Sequence, residues 1–156
     1  MLRAVLFDAG ETLVHPAPSF PELFVRVLAR AGHDRSLDDV VAASGAVLHR
    51  FSEAAADREL WTTSPERSAS FWGSVYERML AELRIADEDG LPATLYATFT
   101  DRANYALFDD VPATLDALDM AGLAVGSCGL WVGAGSRKAK AVVWVLPATV
   151  APFCAR

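Results

Sequence analysis

The chain has 156 residues, long enough for one domain or one domain with a small insertion. With 53% hydrophobic and 22% charged residues it has ample material for a core, which excludes a disordered chain. A net charge of −6 argues against nucleic acid or an anionic membrane surface as partner, and two cysteines make no disulfide framework.

No apolar stretch approaches the roughly 18 residues of a membrane span. The apolar run before Asp8 is too short for a secretory signal, so a cytoplasmic location is expected. Charge is unevenly spread: all 20 acidic residues lie in 1–126, while 127–156 hold only basic ones, Arg137, Lys138, Lys140 and Arg156.

In chain order, 2–7 (LRAVLF) reads as a strand covered on both faces, as in a parallel sheet, and it runs into Asp8. A helical pattern then takes over. Ser19 and Glu22 have capping-box spacing ahead of a stripe of Phe20, Leu23, Phe24, Val27 and Leu28, and Gly32 ends that helix. Ser36 suits the cap of a second helix with Val40, Val41, Val47, Leu48 and Phe51 on one face. Ser64-Pro65 opens a third, carrying Phe71, Trp72, Val75, Tyr76, Met79, Leu80 and Leu83. The aromatics Phe71, Trp72 and Tyr76 read as core. A fourth helix is expected over 92–103 with Leu95 and Phe99 inward, and Asp87-Glu88-Asp89 as a solvated turn before it.

Asp110 suits the cap of a further helix, through Leu115 and Leu118, that stops at Gly122. A short strand ending at Ser127 follows, and 141–146 reads as another strand stopped by Pro147. The order is strand, helical block, helix, strand, which fits an α/β sheet carrying an all-helical insertion after its first strand. The glycines of GLWVGAGSRK match neither a dinucleotide fingerprint nor a P-loop, so nucleotide binding is not expected.

Chemistry points to Asp8. In open α/β sheets ligands bind beyond the carboxyl ends of the strands, where a carboxylate can attack phosphorus or carbon. Gly10 permits a tight turn that brings backbone groups to an anion, and Thr12 adds a hydroxyl. The same residues also suit a plain turn after a strand. His15, His33 and His49 lack metal-ligand spacing, though His15 follows Asp8 closely enough to face the same crevice. No G-x-S-x-G elbow is present.

FDAGETL after its hydrophobic lead resembles motif I of the haloacid dehalogenase-like hydrolase superfamily, usually Asp-x-Asp-Gly-Thr. The helical block resembles that family's four-helix cap, and FDDVPATLDALDMAGLAVGS is similar to the helix and strand leading into its motif II. The resemblance covers residues 1 to about 127. It implies an incomplete Rossmann-like parallel sheet core at 1–15 and 105–156, with a four-helix cap at 16–104 inserted after the first strand. It further implies a Mg²⁺-dependent phosphatase of a small phosphorylated metabolite. Asp8 would be nucleophile and metal ligand, the Gly10 carbonyl a second metal ligand, and Thr12 a catalytic hydroxyl. Ser127 would contact the phosphoryl oxygens, alongside Gly10 and Glu11 as substrate-binding positions. The alternatives are C–halogen hydrolysis by Asp8 without metal, and a catalytically inactive fragment or binding protein.

This chain departs from the family pattern in three places. Gly10 stands where the phosphatases carry a second Asp as general acid, and Glu11, one position on, would point away if the backbone stayed extended. Cys128 replaces the usual Asn after Ser127 and reads as a small core residue. No acid follows Ser127 to serve as motif IV, and nothing around Lys138 or Lys140 resembles motif III; a reading-frame shift from about 127 would account for both. An incomplete sheet would expose an edge, so homodimerisation is an expected mode of association.

Overall fold

A computed structural model describes residues 3–86, 90–128 and 144–146. The fold is mixed α/β, and helices dominate it. The described residues fall into two compact units: 3–15, 105–128 and 144–146 in one, and 16–86 with 90–104 in the other.

The helical unit begins with α1 (Phe20–Arg30), whose N-cap Ser19 accepts the Glu22 amide at 3.3 Å. That cap and the stripe Leu23, Phe24, Val27, Leu28, all buried, realise the local pattern directly. Ser36 and Asp39 form a reciprocal capping box at the start of α2 (Leu37–Ala43). Its hydrogen bonds to Ser36 hold the Asp39 carboxyl below its usual range.

The expected second helix does not run on. It breaks at Ser44, whose hydroxyl donates back to the Val40 carbonyl at 2.9 Å, and restarts as α3 (Gly45–Ala56). Val41 and Leu48, expected inward, are exposed, Leu48 at 74%.

A 3₁₀ turn (Trp61–Thr63) leads into α4 (Pro65–Glu82), where Ser64 accepts the Arg67 amide at 3.2 Å. Then α5 (Leu91–Thr100) ends three residues short of expectation. Asp101 turns extended, and its carboxylate accepts the Ala103 amide at 2.9 Å, which sets up a 3₁₀ turn instead. The unit therefore holds five α-helices among its described residues, where the sequence pattern suggests four.

Their apolar faces form one core that includes Phe24, Leu28, Val40, Phe71, Val75, Tyr76, Met79, Leu80 and Leu95. Trp61 stacks on Phe71 at 4.3 Å between ring centroids, and the Arg50 guanidinium lies 4.6 Å over the same ring. Phe71 and Tyr76 are fully buried, as expected of core aromatics, with Trp72 partly buried beside them. At the ends of the segment the Ala17 amide donates to the Asn104 carbonyl at 2.8 Å, which brings chain entry and exit together.

The other unit is built on β1 (Ala4–Asp8), which pairs in parallel with β4 (Ala124–Cys128). Helix α6 (Val111–Met120) precedes β4 and packs on it. Asp110 holds the N-cap position of α6, but it has helical backbone angles and its side chain caps nothing. Gly122, at φ +69°, makes the left-handed turn from α6 into β4.

Two features differ from the expected parallel sheet. β5 (Trp144–Leu146) runs antiparallel to β4. In addition, β2 (Val14–Pro16) and β3 (Tyr105–Leu107) form a separate two-stranded sheet where the chain enters and leaves the helical segment. Each has three residues, too few for an alternation to register in the sequence.

β1 is not covered on both faces. Its residues alternate between exposed and half-buried, and Leu6 is 60% exposed. The physical reason is simple: α6 is the only helix of this unit among the described residues, and one ten-residue helix cannot cover two faces of a sheet. The acidic turn at 87–89, Lys138, Lys140 and the rest of 129–156 apart from 144–146 lie outside the described residues, and with them most of the stretch for which a frame shift is expected. Among the described residues, no helix is long and apolar enough to cross a membrane.

Candidate functional site

Asp8 is the last residue of β1, and its exposed carboxylate stands at the carboxyl end of the strand. The chain then folds back on itself. The Leu13 and Val14 amides both donate to the Ala9 carbonyl, at 2.9 and 3.0 Å, and the Glu11 amide donates to the Val14 carbonyl at 2.8 Å. This closed loop brings Thr12 over the carboxylate, where its hydroxyl donates to Asp8 Oδ2 at 3.3 Å. A side chain four residues downstream thus orients one carboxylate oxygen, while Oδ1 takes no part in that bond.

The turn is not made where the sequence suggests. Glu11 adopts the left-handed conformation at φ +57°, whereas Gly10 needs no positive φ. A Cβ on Gly10 would meet nothing within 4 Å. Glycine at position 10 is therefore not a steric requirement of the loop. A non-glycine residue in the left-handed region costs on the order of 1 kcal/mol, and here the closed loop imposes it.

The left-handed turn also removes the premise that Glu11 continues an extended backbone. Its charge acts on the Tyr105 hydroxyl on β3. Burial first, and the Glu11 charge second, push that hydroxyl above its usual range. Tyr105 is a neighbour of the site that sequence reading misses, because no motif links residues so far apart in the chain. His15, half-buried on β2, packs its ring against Phe108 at 4.6 Å.

Ser127 lies on β4 with Phe7 as its partner in register, while Asp8 is paired with Cys128. Side chains alternate along a strand and registered partners share a face, so Asp8 and Ser127 leave the sheet on opposite faces. They share the same strand ends but are not brought side by side. Thr12 is the hydroxyl at the Asp8 carboxylate.

The donors available to a metal are hard oxygens: the Asp8 carboxylate and the Gly10 carbonyl, which the loop's own bridging bonds do not use. No group of three His, Cys, Asp or Glu side chains converges among the described residues. Such a donor set fits a magnesium ion that draws most of its oxygens from water and phosphate, and does not fit a closed protein cage. A scan against protein-family models finds no match to the chain, and a search of curated proteins finds none either.

Proposed function

We propose that the chain is a hydrolase of the haloacid dehalogenase-like type, a Mg²⁺-dependent phosphatase of small phosphorylated molecules that works through an aspartyl-phosphate on Asp8. In this reading the sheet unit is a partial Rossmann-like core and the helical unit its cap. The observation that carries it is the exposed Asp8 carboxylate at the carboxyl end of a parallel strand, held by Thr12 within a closed loop.

An Asp8 oxygen attacks phosphorus, and the bond from phosphorus to the leaving oxygen breaks. Water then hydrolyses the acyl phosphate and returns the free carboxylate. Thr12 aims the carboxylate for that attack. Magnesium, held by Asp8 and the Gly10 carbonyl, would neutralise charge on the phosphoryl group.

Proton supply is the weak point of this site. Gly10 offers none, and in this reading the leaving oxygen takes its proton from water. General acid catalysis typically contributes ~10²–10⁴-fold, which a leaving group of low basicity does not need. Aryl phosphates are accordingly the substrates this site handles best.

The test is turnover of an aryl phosphate with and without Mg²⁺. Asp8→Asn should reduce it to background. Gly10→Asp, whose Cβ meets no neighbour within 4 Å, should raise the rate on alkyl phosphates more than on aryl ones. A second reading, a catalytically inactive binding protein, is favoured by the lack of a converging acidic group among the described residues. No turnover, with Asp8→Asn no different from the parent, would leave that second reading standing, and turnover unchanged in Asp8→Asn would remove Asp8 from the chemistry. Halide release from a 2-haloacid without metal would make the chain a dehalogenase.

A further inference from the structure

The helical unit carries an open groove of about 390 Å³ between α1 and α5, and the Asp8 chemistry makes no use of it. Along one wall α1 presents Arg26 and Arg30, one turn apart, above the buried apolar side chains of Leu23 and Val27. The facing helix α5, LPATLYATFT, carries no charge at all.

Neither arginine has an ion-pair or hydrogen-bond partner among the described residues; the ion pairs there use His49, Arg50 and Arg78. The one carboxylate lining the groove, Asp101, is engaged at Oδ1 by the Ala103 amide. The hydroxyls of the α5 wall are committed as well, Thr98 donating to the Thr94 carbonyl at 2.9 Å. Arg30 sits in the last turn of α1, where a cation also suits the helix dipole. Arg26 lies in the middle of the helix and has no such use. Two exposed planar guanidiniums without partners, one turn apart beside an apolar wall, make a site for an oxygen anion.

We propose that this groove binds a small molecule bearing two or more negative charges on phosphate or carboxylate groups. Arg26 and Arg30 bracket the charges, and the apolar part lies against Leu23 and Val27. The site lies wholly within the helical unit and does not depend on the hydrolase reading.

Calorimetric titration of the full chain at low ionic strength, with inorganic pyrophosphate and separately with citrate, tests it. One-to-one saturable binding of at least one is expected, and the tighter of the two identifies the head group. The Arg26→Gln/Arg30→Gln double variant should weaken that binding by about tenfold or more, a loss of at least ~1.4 kcal/mol. Arg67→Gln, at another exposed arginine on α4, should leave it essentially unchanged. No saturable binding of either anion, or an equal loss in Arg67→Gln, would overturn the proposal. Should the double variant melt early, Arg26→Lys decides: it keeps the charge but loses the planar fork, so weaker binding supports the site and unchanged binding overturns it.

Discussion

The helical unit and the sheet unit differ in how they hold themselves together. Every member of the large buried cluster, from Leu23 to Phe99, belongs to the helical unit. In the sheet unit, Val14 and Val111 are the buried large apolar side chains among the described residues, and Leu6 on β1 stands open to solvent. Helices with one apolar stripe each can close a core among themselves, because five stripes can face a common centre. A sheet has two faces and needs cover on both, and among the described residues a single helix packs on β4. Candidate chemistry sits on the underpacked unit and packing strength on the other.

The contrast can be broken most forcefully in the helical core. Phe24→Ala should cost about 3–5 kcal/mol in urea unfolding, since the ring is fully buried among other aromatics. Leu6→Ala, by the same measurement, should stay within about 0.5 kcal/mol because most of its surface is already in water. Equal losses would remove the distinction between the two units. A gentler test concerns the Asp8 loop. Thr12→Val removes a hydrogen bond to a charged group and should cost aryl phosphate turnover up to about tenfold. Ser127→Ala, on the opposite face, should cost less, and the reverse order would show that the strand alternation misleads at this end of the sheet.

The smallest expected effect is a pH dependence of the sheet unit. The folded chain keeps the Tyr105 proton to higher pH than the unfolded chain does. Above about pH 10 the unfolded state loses that proton first, so stability falls as pH rises from there toward the folded value. Tyr105→Phe should flatten that alkaline loss. An identical alkaline slope in both proteins would show that the neighbourhood of Glu11 does not penalise the phenolate.

Much of the helical unit was legible in the sequence. Ser19, Ser36 and Ser64 mark helix starts because a cap bonds an amide only three residues away. The stripe Leu23, Phe24, Val27, Leu28 declares its buried face by spacing alone. Asp8 and Thr12 were legible as a pair for the same reason, being four residues apart on one loop. The break at Ser44 was not, since the Val40–Phe51 pattern continues through it and only a back-bonded hydroxyl interrupts the helix.

What the sequence determined by itself is therefore what short-range physics controls: where helices start, which stripes they bury, and that a carboxylate ends the first strand. Tertiary structure decided the rest. It exposed Leu6, since how much of a strand is covered depends on how many helices reach it, which no local pattern encodes. It brought Tyr105 under the Glu11 charge and moved the left-handed turn from Gly10 to Glu11, through bonds that close the loop from both ends. It also placed Asp8 and Ser127 on opposite faces, because the register between two strands, and not the motif in either, determines which side chains meet.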